Sequence, residues 1–260
     1  TVSYTSSNTA VATVSGTTVT IVGAGATSIT ASQAGDTNYN AAANVIQALT
    51  VGKATQTTTF AALASKTFGD APFALTATAS SGLTVSYTSS NTAVATVSGT
   101  TVTILAAGAT NITASQVGDT NYNAAVNVIQ ALVIGKATQT TTFAALASKT
   151  FGDTPFTLTG TASSGLTVSY TSSNTAVATV SGSTVTIVGA GATNITASQA
   201  GDTNYNAAAN VIQALTVGKA TQTTTFAALA SKTFGDAPFA LTGTASSGLT
   251  VSYTSSNTAV

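Results

Sequence analysis

The sequence contains no cysteine, methionine, tryptophan, histidine, arginine or glutamate. Each gap closes off a class of chemistry. Without cysteine no disulfide staples a small domain and no thiol reacts, although that absence alone assigns no compartment. Without histidine the abundant serines and threonines lack the usual base that would make a hydroxyl nucleophilic. The missing methionine and tryptophan leave few oxidisable side chains. Charge is scarce as well: six lysines and six aspartates balance to a net charge of zero. No basic stripe exists for a phosphate backbone, which excludes nucleic acid as a partner. No charged-then-apolar leader and no run of 18 apolar residues occurs, so no membrane span is expected in this segment.

What remains is not the composition of a disordered chain. Hydrophobic residues make up 43% of the sequence and mean hydropathy is +0.37, enough apolar material to build a core. Serine, threonine, asparagine and glutamine must then supply the solvated faces. A neutral surface with so little like-charge repulsion favours side-by-side association.

The strongest positive signal is repetition. Thr84–Val94 reads TVSYTSSNTAV, and the same eleven residues start at Thr1, Thr84, Thr167 and Thr250, each start 83 residues after the last. A fixed period of this kind marks a tandem array. The best cut falls before the lysine of GKATQTTTF, at Lys53, Lys136 and Lys219. It predicts complete domains at 53–135 and 136–218. Residues 1–52 are then a partial domain carrying the C-terminal strands, and residues 219–260 one carrying the N-terminal strands. A unit this small buries only roughly 60–65% of its unfolded surface, so its core is thin.

Within the second complete unit, Gln139–Phe143 is Thr-rich and predicts a first strand. Ala144–Ser148 has the composition of a helical turn but is too short to stand alone, and Phe151–Pro155 and Ser163–Gly165 are turns. Phe156–Ala162 alternates as one strand. The strand at Thr167–Thr171 follows, then a hairpin of Ala176–Val180 with Thr184–Val188 through Ser181-Gly182-Ser183. Gly191–Gln199 alternates again, the loop Gly201–Ala207 intervenes, and Asn210–Val217 is the last strand. About seven strands with turn signals between them and no helical period predict an all-β sandwich. A β-solenoid would need rungs every 20–30 residues or so, and no such shorter period is found. Successive units join through only Gly218–Thr221, so the array is expected to be a stiff rod or filament of β-sandwich domains in which each domain touches only its neighbours.

Phe73–Ala79, Tyr87–Asn91, Val94–Gly99, Val102–Ile104, Ala107–Ser115 and Gly118–Ala125 follow one another as in bacterial immunoglobulin-like repeats. The chain resembles the tandem repeats of large bacterial surface and secreted proteins, including the stalk domains of adhesins and intimin-type proteins. The resemblance covers each whole unit and implies an immunoglobulin-like sandwich at an extracellular or cell-surface location. Tyr87 stands where that group often has tryptophan, and the antibody-type cysteine pair is wanting. The same module serves as spacer, stalk and binding tip, so the resemblance says less about function.

Candidate sites are few. Lys66 and Lys149 sit in Ser-Lys-Thr contexts that read as solvated turn charge rather than as a base. Each unit has two aspartates in separate loops, which does not make a glycosidase carboxylate pair. Asp119, Asn121 and Asn123, repeated at Asp202, Asn204 and Asn206 and again from Asp36, place oxygens at alternate positions as a calcium loop does. They lack the glycine and closing glutamate of an EF-hand, and one carboxylate is little charge for the ion. The competing expectation is a polar turn whose Asx groups cap backbone amides, with Tyr122 plugging the end of its own sandwich. Asn111 and Asn194 begin Asn-Ile-Thr sequons on an outward strand face, where an unmodified Asn is the simpler expectation. An isopeptide cross-link from Lys53 or Lys66 would need an apolar core, and both lysines read as exposed.

No catalytic residue, metal or cofactor is therefore expected. The sequence predicts a non-catalytic structural segment of an extracellular filament, fibre or adhesin stalk whose partners are neighbouring copies of itself, end to end and side by side. The alternative is an adhesin module contacting carbohydrate or protein on another surface. Residues 1–52 and 219–260 are complementary, which admits joining of subunits by strand completion. A window on a longer continuous chain explains the duplicated TVSYTSSNTAV more simply.

Overall fold

A computed structural model of the chain describes Thr1–Thr258. The fold is all-β, with strands arranged in sandwich-like sheets, and no helix occurs among the described residues. Two compact units divide the chain. The first is Thr1–Thr138 with the loop Gly201–Asn206, and the second is Gln139–Ala200 with the residues from Ala207 onward.

The first unit holds one full sandwich. Its larger sheet has four strands in the order Ser86–Ser89, Gly108–Ser115, Val128–Gly135 and Lys66–Thr67, the last pairing parallel. The smaller sheet sets Ala95–Ser98 beside Thr101–Ile104 and then Phe73–Ala74. A two-residue pair, Thr58–Thr59 with Thr78–Ala79, closes one side. The eight-residue run GATNITAS buries every second side chain inward at Thr110, Ile112 and Ala114, the period-2 pattern of a strand with one wet face. Ile112, Leu132 and Val102 are fully buried and come from both sheets, so one core holds the layers together. The same unit also carries a three-stranded sheet of Ser3–Ser6, Gly25–Ser32 and Val45–Val51, and a hairpin of Ala12–Ser15 with Thr18–Ile21.

The second unit contains the same sandwich, with Ser169–Ser172, Gly191–Ser198, Val211–Gly218 and Lys149–Thr150 in the larger sheet. Phe156–Thr157, Thr184–Ile187 and Ala178–Ser181 make the smaller one. Its core centres on Ile195, Leu215 and Val185. Beyond it, Thr224–Thr225 pairs with Thr244–Ala245.

Most predicted strands are present. Ala144–Ser148, too short to stand alone as a helical turn, forms none, because five residues make too few backbone bonds to repay a helix nucleus. Two expectations need correction. Phe156–Ala162 is two short strands, not one: Phe156–Thr157 pairs with the smaller sheet and Thr161–Ala162 with Thr141–Thr142. Each complete repeat gains a strand where a turn lysine was expected, Lys66–Thr67 and Lys149–Thr150. Lys66 is half-buried, and its Nζ lies 4.9 Å from the centre of the Phe73 ring, a cation–π contact rather than free solvation.

Candidate functional site

The Asp-Thr-Asn-Tyr-Asn loop follows a GATSITAS or GATNITAS strand in three places, after Gly35, Gly118 and Gly201. Its shape comes from local chemistry. Asp119 Oδ1 accepts hydrogen bonds from the amides of Asn121 and Tyr122, both at 2.8 Å, an Asx turn that occupies that carboxylate oxygen. Gly118 takes φ +77°, and a Cβ there would lie 2.3 Å from the Tyr122 carbonyl, so glycine is required. Asp36 and Asp202 make the same pair of bonds. The loop is thus formed by its own residues in all three copies.

Behind the loop lies a buried polar group the sequence reading missed. Gln56 Nε2 donates to Gln116 Oε1 at 2.5 Å and to the Asn123 carbonyl at 2.7 Å. Gln116 Oε1 also accepts from the Gly118 amide, and the Ser81 hydroxyl donates to Gln56 Oε1. Gln139, Gln199 and Ser164 repeat the arrangement. Two glutamines 60 residues apart gave no local signal, yet their mutual satisfaction is what makes their burial tolerable.

Within the first unit, the free groups of the loop point at the preceding copy of the repeat. Asn121 Oδ1 accepts from the Ala24 amide at 2.8 Å, and Asn204 Oδ1 from the Ala107 amide at 2.9 Å. The Tyr205 ring meets Phe68 edge-on at 5.5 Å and 83°, a favourable aromatic geometry. Tyr205 therefore does not plug its own sandwich; it packs on the copy before it. The strand leading into each repeat braces the loop from the other side. The Ala137 amide donates to the Asn204 carbonyl, the Asn206 amide donates to the Ala137 carbonyl, and Lys136 Nζ reaches the Asp202 carbonyl at 2.6 Å. Ala54, Lys53 and the loop at Asp119–Asn123 do the same.

The side chains named as calcium ligands make different contacts: Asp119 Oδ1 accepts within the loop, Asn121 Oδ1 accepts from the Ala24 amide, and Asn123 Nδ2 donates to the Lys53 carbonyl. Asp202 and Asn204 act likewise, and Asn206 Nδ2 donates to the Lys136 carbonyl. Among the described residues no group of three or more His, Cys, Asp or Glu side chains is gathered. Asn111 and Asn194 are exposed on the GATNITAS strands, with their backbone amides bonded to Ser90 and Ser173 hydroxyls.

The repeated TVSYTSSNTAV stretch has its own anchor. Thr110 is buried, and its hydroxyl accepts from the Asn91 amide at 2.9 Å while contacting the Ser89 hydroxyl at 2.8 Å. Tyr87 Oη accepts from the Ala77 amide at 2.7 Å, and its ring packs on Phe60. Tyr87 thus ties its strand to the segment between Phe73–Ala74 and Thr78–Ala79 with a bond that indole, a donor only, could not accept.

No family model matches the chain, and no curated protein matches it. Among solved structures it is similar to Drosophila N-cadherin EC1-4, with 11% identity over 85% of this chain and 66% of that one, at TM-score 0.31. It is also similar to domains 1-6 of the surface layer protein SbsC, at 17% identity, 85% and 35% coverage and TM-score 0.28. A third is Sidekick-1 immunoglobulin domains 1-5, at 14% identity, 84% and 52% coverage and TM-score 0.33. The chain spans less than two thirds of the length of each of these structures.

Proposed function

We propose that this chain is a non-catalytic structural repeat segment of an extracellular bacterial filament, fibre or adhesin stalk, with 53–135 and 136–218 as its complete domains. One observation carries the reading: at 119–123 and 202–206 the side-chain groups left over by the Asp-Thr-Asn-Tyr-Asn loop are spent on the neighbouring copy, at Ala24, Ala107 and Phe68. A loop used for recognition of an outside ligand would present those groups to solvent. The short link through Gly218–Thr221, free of Pro- or Ser-rich spacer, supports the same reading. Its partners are then further copies of itself, and its role is to extend and bear load.

Electron microscopy of the native material tests this. Beads at constant spacing along an unbranched fibre are expected, whereas freely tumbling domains in scattering would overturn it. Saturable binding of the chain to a glycan array would instead establish the carbohydrate-binding adhesin.

A further inference from the structure

The larger sheet of each complete repeat ends differently on its two sides. One outer strand is Lys66–Thr67, two residues long, whose lysine stands over the Phe73 ring. Short length and charge both discourage a further strand from adding there. The other outer strand is Ser86–Ser89, four residues of the repeated TVSYTSSNTAV stretch, and Ser169–Ser172 holds the same place in the second unit. Neither has a charge near it in sequence. No charged residue occurs between Asp70 and Asp119, or between Asp153 and Asp202.

The backbone of this outer strand is half used. The Ser90 amide donates to the Asn111 carbonyl at 3.0 Å, and the register sets Thr88 opposite Thr113 and Ser86 opposite Ser115. Bonded and non-bonded residues alternate in an antiparallel ladder, so Tyr87 and Ser89 turn their amides and carbonyls to the open side. Among the described residues no strand pairs with that side. Tyr170 and Ser172 repeat the pattern, with the Ser173 amide on the Asn194 carbonyl at 2.9 Å. The side chains of Tyr87 and Ser89 face inward to Phe60 and Thr110, while Ser86 and Thr88 are exposed.

We propose that this edge is a lateral interface whose partner is the same edge of a second copy of this chain, added antiparallel. The strand is complementary to itself about Thr88. With Thr88 opposite Thr88, Tyr87 faces Ser89 and Ser89 faces Tyr87. The two residues with unused amides and carbonyls then exchange them across the seam. Ser86 lies opposite Ser90, so the outer face of the seam carries hydroxyls and methyl groups, which pair favourably, and no charge to repel. Because the stretch is identical from Thr84 and from Thr167, any such edge meets any other in one register. The inference rests on the structural role proposed above and adds the surface by which separate chains join; a stalk of one continuous chain would stand without it.

Sedimentation velocity of the 260-residue chain tests it, with changes at Thr5, Thr88 and Thr171, the copies of this position that lie in paired strands. All three are exposed, so a charge there enters no core. The wild-type chain is expected to associate as its concentration rises. Lysine at all three positions sets like charges opposite each other and should weaken association about fivefold or more, and aspartate should do the same. An equimolar mixture of the lysine and aspartate chains sets opposite charges across the seam and should recover it. The absence of native cysteine gives a test of register. A Thr88→Cys, Thr171→Cys chain should cross-link between molecules faster than a Ser86→Cys, Ser169→Cys chain, because only the first sets cysteine opposite cysteine, at a non-bonded pair with Cα atoms roughly 4.5 Å apart. A wild-type chain monomeric at about 1 mM would overturn the inference and leave the structural role, tested by microscopy, standing. So would association that neither charge weakens, or cross-linking no faster at Thr88 and Thr171 than at Ser86 and Ser169.

Discussion

Single atoms decide whether the recurring turns exist. At Gly118 the positive φ and the 2.3 Å approach to the Tyr122 carbonyl mean that Gly118→Ala must reshape the loop, at about 1–3 kcal/mol. Urea unfolding should show a lower midpoint with an unchanged slope. Thr110 gives a cleaner comparison. Thr110→Val removes the acceptor of the Asn91 amide while keeping the side chain's volume, so a loss of about 1–3 kcal/mol is expected. Thr110→Ser retains the hydroxyl and gives up only a methyl group, so it should cost about 1 kcal/mol. If both variants melt at the same temperature, the hydroxyl is not what holds the turn.

Strands and loops show what identical residues do in different company. Val102 is fully buried with Phe73 opposite it, whereas Val19, in the same local sequence, is 41% exposed with only one neighbouring strand. The Asp-Thr-Asn-Tyr-Asn loop behaves the same way, its tyrosine half-buried at Tyr205 and open at Tyr39. The link between Asn204 and Ala107 can be read directly by hydrogen exchange. Asn204→Ala should speed exchange of the Ala107 amide about tenfold, while the Ile112 amide in the core strand keeps its protection. Equal acceleration at both amides would mean that the loop stabilises the whole sandwich rather than one turn.

Over the whole molecule, protection should follow pairing rather than sequence. Lys66, Lys149 and Lys232 occupy one position of the repeat, but only the first two lie in strands paired to the end of their sandwich. Lys232 is exposed and outside any strand. Trypsin is therefore expected to cut after Lys232 or the equally exposed Lys219 long before Lys66 or Lys149, as read by mass spectrometry of the fragments. Early cleavage at Lys66 would show that the parallel edge strand opens readily in solution.

Periodicity, turn chemistry and composition by themselves determined that this is a repeating, all-β, cysteine-free chain with little means for catalysis. Those features are local: alternation at Gly108–Ser115 and a glycine at the first hairpin position, with φ +59° at Gly182, act within a few residues of each other. The tertiary structure alone decided where Lys66–Thr67 pairs, that Gln56 meets Gln116, and that Tyr205 packs on Phe68 of the preceding copy of the repeat. The repeated eleven-residue stretch makes the division plain. TVSYTSSNTAV is a strand at Ser3–Ser6, Ser86–Ser89 and Ser169–Ser172 but not at Ser252–Ser255. Eleven identical residues cannot differ in propensity. What differs is whether a GATNITAS or GATSITAS strand lies alongside to take their hydrogen bonds, and that partner is more than twenty residues away along the chain.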